Sequence, residues 1–279
     1  MILLVVLALI PFAFAASMLR RAYASVAAGD VSLVIARGHL DDTPSVRLLI
    51  SRSLSRARRF RTTSSVAVWT GALAIVVARS ISGAEEFRIS FAGLFVAGLA
   101  GYLSGAILGE THQLRRAGDA VRVASVSPRS VRGYRTKQLH VFVLAGATAA
   151  IGVCGARIVG GNGGNHPNSG YFVAIAVAAL GVAAVVTLMQ RRIVWRARPA
   201  LPAALQRADD ALRRRAFGAL DSAGGALVWM LTSIAAGAAT DMTNSALLRI
   251  AAGLGSLSAL CVAWTLAWHA RRMAWPAKK

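Results

Sequence analysis

The stretch GYLSGAILGETH, residues 101–112, brings a serine set among glycines close to a carboxylate, Glu110, and an imidazole, His112. A serine attacks a substrate only when a base within hydrogen-bond reach takes its proton. No apolar run supplies a histidine at the depth of Ser104: His140 and His269 fall at run boundaries and His166 lies in a polar turn. The local histidine–carboxylate groupings are Glu110 with His112, and His39 with Asp41 and Asp42. Each offers two or three ligands, short of the four that close a metal site. The adjacent pairs Glu85-Glu86 and Asp209-Asp210 point apart on a helix, so paired-carboxylate acid–base chemistry is not indicated. Cys154 and Cys261 stand in apolar runs without a CxxC or a histidine at ligand spacing, which argues against a disulfide framework or zinc. Walker A, HExxH and haem-type CxxCH patterns are missing. The expectation is a chain that is not an enzyme and carries no catalytic residue, no metal and no cofactor.

The elements that hold these residues follow from composition. The 279 residues are 56% hydrophobic and 15% charged, yet the net charge is +21, with a mean hydropathy of +0.56. Soluble domains run near 45–50% apolar and about 25% charged. High hydropathy excludes a disordered basic tail, and strong positive charge on an apolar chain is natural for a membrane protein with basic loops. Seven uncharged runs reach or exceed the roughly 17 residues that a spanning helix needs: 1–19, 62–78, 89–109, 138–156, 158–190, 222–240 and 250–270. The fifth opens with the turn-forming GGNGGNHPNSG, so its helix is expected from about Tyr171. The predicted class is therefore all-α, a polytopic transmembrane helical bundle of about seven spans.

Basic residues set its orientation. Segments 20–61, 115–137, 191–215 and 271–279 hold 28 of the 32 lysines and arginines; Arg79, Arg88, Arg157 and Arg249 fall at the opposite ends. Cytoplasmic loops retain Lys and Arg, which places the N-terminus outside and the C-terminus inside. The first run contains AFA at 13–15, like a cleavage site, but lacks the basic region of a secretory signal. An uncleaved, reverse-oriented anchor is expected over 1–19. The organisation then reads as a basic cytoplasmic loop 20–61, a hairpin 62–109, a loop 110–137, a hairpin 138–190, a loop 191–221, a hairpin 222–270 and a tail 271–279.

SGAILG, from Ser104 to Gly109, resembles the GxSG nucleophile motif of rhomboid intramembrane proteases. The likeness covers six residues. Tyr102 stands where that motif has glycine, and Ser104 lies near the inner end of its run, whereas the rhomboid nucleophile lies toward the outer side. Gly101, Gly105 and Gly109 form instead a tandem GxxxG, a ridge that lets another helix backbone come close. These three are the expected helix-packing residues, and the third span the expected central helix. The three-hairpin plan is similar to that of mitochondrial carriers, but their PxDxxK-type signature is missing from every span.

Inside the basic loops, Thr43 suits an N-cap and Pro44 the first helical position. Val46, Ile50, Leu54 and Ala57 share one face, and Leu201, Leu205, Ala208 and Leu212 another. Asp209/Arg213 and Asp210/Arg214 sit at pairing distance. Such helices lie on the membrane, pack on one another, or extend the spans. Arg52, Arg56, Arg58, Arg59, Arg61, Arg213, Arg214 and Arg215 are the candidate contacts for anionic lipid headgroups or an acidic partner, each worth about 1 kcal/mol at an anionic leaflet. Arg79, Arg88, Arg157 and Arg249 are read as interfacial anchors, or as an outer-face anion vestibule. The loops lack interleaved aromatics and nucleic-acid-binding patterns, so no nucleic acid is expected.

The Ala-, Gly-, Val- and Arg-rich style of the whole chain resembles the uncharacterised multi-pass membrane proteins of high-GC actinobacteria, which implies a bacterial plasma (inner) membrane. The functional expectation is a non-enzymatic scaffold or subunit of a membrane complex, partnered by the bilayer, by a membrane-complex protein or by copies of itself. The alternative is a small-solute permease built from two-helix repeats.

Overall fold

The computed structural model describes residues 13, 15–81, 91–116, 137–160, 169–196, 201–240 and 245–274. All of the regular structure within them is α-helical. After a helical stretch over 15–23 come α1 (Ala28–Gly38), α2 (Pro44–Ile81), α3 (Phe91–Arg116), α4 (Lys137–Gly160), α5 (Ser169–Trp195), α6 (Ala203–Thr240) and α7 (Ala246–Ala274). Most of the expected first span, the residues Glu85, Glu86, Arg88 and Asp241, and most of loop 110–137 lie outside the described residues, as does the side chain of Arg79.

Among the described residues five helices are long and apolar enough to cross a bilayer, with candidate spans Gly93–His112, Gln138–Ile158, Gly170–Trp195, Ala203–Ala238 and Ala246–His269. Their outward faces carry Val141, Leu144, Ile151, Val177, Leu180, Leu247, Ile250, Leu254 and Trp264, all exposed. A soluble protein does not display so continuous an apolar surface, and hydrocarbon is the solvent that suits it. The chain is a polytopic membrane-spanning helical bundle.

Two helices are much longer than a membrane requires. Both α2 and α6 have 38 residues, about 57 Å at 1.5 Å per residue, against a hydrocarbon thickness of about 30 Å. The basic segments before Thr62 and before Ser222 are thus not separate from the uncharged runs that follow; each continues into its run as one helix.

The chain divides into two compact units, Met1–Pro128 with Arg196–Ala216 and Ala274–Lys279, and Arg129–Trp195 with Phe217–Met273. The first unit has its own small core: Val31, Val34 and Ile35 from α1, Val46, Ile50 and Leu54 from α2, and Ala208 from α6. Each large side chain there gains roughly 1.5–3 kcal/mol by leaving water. That burial keeps the 11-residue α1 folded, which is too short to persist alone. Its C-terminus closes in a left-handed cap at His39 (φ 47°, ψ 47°); the His39 N–H donates to Ala36 O (3.3 Å) and the Leu40 N–H to Ile35 O (3.0 Å). Helix α2 starts at Pro44, where Thr43 Oγ1 accepts from the Val46 N–H at 3.4 Å.

In the same unit α3 runs close along α2. A Cβ placed on Gly101 would lie 2.6 Å from Ser64 O, and one on Gly105 would lie 2.6 Å from Arg61 Cα, so only glycine lets the backbones approach this far. Ser65 Oγ donates to Gly98 O across the contact at 2.9 Å. Gly109 meets only the Phe60 side chain, at 3.6 Å.

In the second unit the latter half of α6 is the enclosed helix. Gly146 on α4, with Gly224 and Gly225 on α6, lie against Val228, Val186 and Leu266 respectively. Trp229 Nε1 donates to Phe142 O (2.9 Å), Thr232 Oγ1 to Gly146 O (3.1 Å) and Ser233 Oγ to Ser256 O (2.9 Å). Helix α6 is buried almost throughout Ala216–Met230, while α3 is buried on one face only, because small residues on α6 admit α4, α5 and α7 together.

Candidate functional site

Polar side chains buried in a lipid-embedded protein are costly and mark where function concentrates. The structure gathers them in two places, one in each unit.

In the first unit, Arg58 and Arg61 occupy the buried face of α2, while Arg52 and Arg59 are exposed and Arg56 is part-buried. Arg58 Nη2 donates to Ala24 O, and burial pushes its guanidinium below the ordinary arginine value. Arg61 is 4% exposed. Its Nη1 donates to the Tyr102 hydroxyl at 3.5 Å, and its Cζ lies 5.6 Å from the Tyr102 ring centroid. The close approach at Gly101 and Gly105 is what puts Tyr102 against Arg61.

The same helix carries Glu110, which is buried and lies 4.0 Å from Arg196 Nη1. Arg196 Nη2 donates to Asp209 Oδ1 at 2.7 Å. Arg213, one turn after Asp209 on α6, donates through Nε to Asp209 Oδ2 (2.8 Å) and through Nη1 to Arg196 O (3.3 Å). Glu110 is within electrostatic reach of Arg196, Arg61, Asp209 and Arg213. Arg215 in turn feels the repulsion of Arg61 and Arg37, with Tyr102 and Asp30 nearby. Within this unit one polar region thus joins α2, α3, Arg196 and the first part of α6. Its arginines outnumber its carboxylates, so it suits anion binding better than acid–base catalysis.

In the second unit Asp221 is fully buried midway along α6. Its Oδ1 accepts from Gln190 Nε2 of α5 at 2.6 Å and lies 3.2 Å from His140 Nδ1 of α4. Neighbouring Ser222 is buried as well. These residues stand 31 and 81 positions from Asp221, so no local motif announces the group. Sequence reasoning placed Asp221 as the last residue of a loop and His140 at a run boundary. The signal it lacked was that α6 is continuous across that border.

The remaining sequence candidates fall elsewhere. Ser104 is exposed and donates to Ala100 O within its own helix at 2.8 Å. His112 lies tilted against Phe60, with centroids 5.7 Å apart. Asp41 and Asp42 pair with Arg207 (2.7 Å) and Arg47 (2.5 Å) on the exposed surface, where such pairs contribute little. Arg214 is exposed and Arg215 part-buried; Arg157 is part-buried and Arg249 exposed. Cys154 and Cys261 are free thiols. No group of three metal-ligating side chains occurs among the described residues.

No protein-family model, curated protein or solved structure matches the chain.

Proposed function

We propose that this chain is a non-enzymatic subunit or scaffold of a membrane complex, held by seven spans in a bacterial plasma membrane with its N-terminus outside and its C-terminus inside. Its folded basic module, made of α1 and the charged halves of α2 and α6, binds anionic headgroups or an acidic partner at the cytoplasmic side. The observation that carries this reading is the division of labour among the arginines. Arg52, Arg59 and Arg214 are exposed on helices that are themselves held by an apolar core, so they form a pre-ordered cationic surface. An ordered surface binds with less entropic loss than a slack basic loop. The test replaces Arg52, Arg59 and Arg214 together by Gln and measures, by native mass spectrometry, enrichment of phosphatidylglycerol over phosphatidylcholine on the purified protein, with recovery of co-purifying partners alongside. Loss of enrichment or of a partner is expected; unchanged lipid ratio and unchanged partners refute it.

A second reading, a small-solute permease, draws on Asp221, a carboxylate held between three helices in the second unit. It predicts solute flux in proteoliposomes that Asp221→Asn abolishes; a broad solute panel without flux removes it.

A further inference from the structure

The arginines of the first unit do two different things. The exposed ones face solvent or headgroups. Arg61 and Arg213 are 4% and 2% exposed, and nothing about surface attraction explains why a guanidinium should be buried. Burying a charge is unfavourable unless it is paired and its donors are used.

Part of the pairing is internal. Asp209 takes one donor from each of Arg196 and Arg213, and Glu110 stands 4.0 Å from Arg196. Arg61 and Arg215 are left without a carboxylate in hydrogen-bond contact among the described residues. Arg61 touches the Tyr102 phenol, and the like charge of Arg215 lies within its electrostatic reach. Arg61 Nε and Arg215 Nη2 are both buried and have no hydrogen-bond partner among the described residues. Two buried donors on mutually repelling cations, beside a tyrosine hydroxyl, ask for a shared acceptor carrying negative charge. A guanidinium presents donors in a planar fork that matches the oxygens of phosphate, and two such forks around one anion both satisfy the donors and cancel the repulsion.

We infer that Arg61 and Arg215, with the Tyr102 hydroxyl, form a binding site for a phosphate-type oxyanion, supplied either by a lipid phosphate headgroup or by free inorganic phosphate. This rests on the reading of the basic module as an anion-binding element and goes further, by separating one stoichiometric site from the diffuse cationic surface. Arg213 and Arg196 each give one donor to Asp209 and so belong to the internal network rather than to the site.

The test uses the full chain purified in a neutral detergent. Isothermal titration with inorganic phosphate, and native mass spectrometry after addition of phosphatidic acid, phosphatidylglycerol or phosphatidylcholine, supply the two arms. The expected result is one saturable phosphate-bearing ligand per chain, with affinity about tenfold to hundredfold lower in Arg61→Gln and in Arg215→Gln, the range for a lost charged hydrogen bond. Arg61→Lys keeps the charge without the fork and falls between. Saturation by inorganic phosphate alone identifies the free ion as ligand; saturation only by an anionic phospholipid identifies the headgroup. Binding in neither arm, or binding equal to wild type in folded Arg61→Gln and Arg215→Gln, overturns the inference. The Arg52/Arg59/Arg214 triple variant separates the two levels. If it loses lipid enrichment but keeps the saturable ligand, surface and site are distinct; if Arg61→Gln leaves the ligand untouched while the triple variant abolishes it, the buried site is wrong and the surface reading stands.

Discussion

Changing Gly105 to alanine adds one methyl group, and its geometry makes the cost calculable. The new Cβ would stand 2.6 Å from Arg61 Cα, with Phe60 O also inside contact distance. Those are backbone atoms of α2, which cannot swing aside as a side-chain tip can. To reach 3.4 Å, an ordinary contact, the two helices must separate by at least about 0.8 Å at this level. The Ser65–Gly98 hydrogen bond, now 2.9 Å, stretches past usable length if the retreat extends two turns along the ridge. Overpacking of this kind costs about 1–3 kcal/mol, and the lost hydrogen bond adds about 0.5–1.5 kcal/mol. Two controls isolate the effect. Gly109 meets nothing closer than 3.6 Å and Gly71 nothing within 4 Å, so alanine there is tolerated and gains up to about 1 kcal/mol of helix propensity. Thermal and denaturant unfolding in detergent, followed by tryptophan fluorescence, reads all three. Gly105→Ala less stable than Gly109→Ala and Gly71→Ala by about 2–4 kcal/mol is the expected order. Gly105→Ala as stable as the controls refutes the close approach.

Substitutions at three further positions test the polar groups and the cap. Asp209→Asn leaves Arg196 and Arg213 without their shared carboxylate and should destabilise by about 3–5 kcal/mol, as breaking a buried pair does; unfolding within 1 kcal/mol of wild type, on the scale of ~1 kcal/mol for surface pairs, counts against it. Asp221→Ala strips the acceptor from Gln190 and His140 and should cost about 1–3 kcal/mol, with Asp221→Asn, which keeps one oxygen, milder in the same unfolding assay. His39→Gly relieves the left-handed backbone at φ 47° and should strengthen α1 by up to about 1 kcal/mol, read as slower amide exchange at Val34 and Ile35.

The helical class, five of the seven expected apolar spans and the helix start at Thr43–Pro44 were legible because each is written in neighbouring residues. The glycine ridge of residues 101–109 was visible too, but a ridge says only that some backbone comes close. That Ser64, Ser65 and Arg61 provide it depends on a packing choice made elsewhere. The borders drawn at Arg61 and Asp221 reflect a change in charge, while the backbone continues unbroken through both. Arg58 and Arg59 show a second limit. They are adjacent and identical in type, and helical geometry turns one inward and the other outward. No run length distinguishes them before the Ala24 carbonyl is known to lie against Arg58. Asp221, His140 and Gln190 meet only in three dimensions.

Cysteine accessibility in intact cells tests the bilayer arrangement most directly. With Cys154 and Cys261 changed to Ser, single cysteines are placed at the exposed positions Arg52 and Arg207. The expected result is that both resist a membrane-impermeant maleimide in intact cells and both react once the membrane is opened. Reaction of either from outside, or of the two from opposite sides, contradicts it.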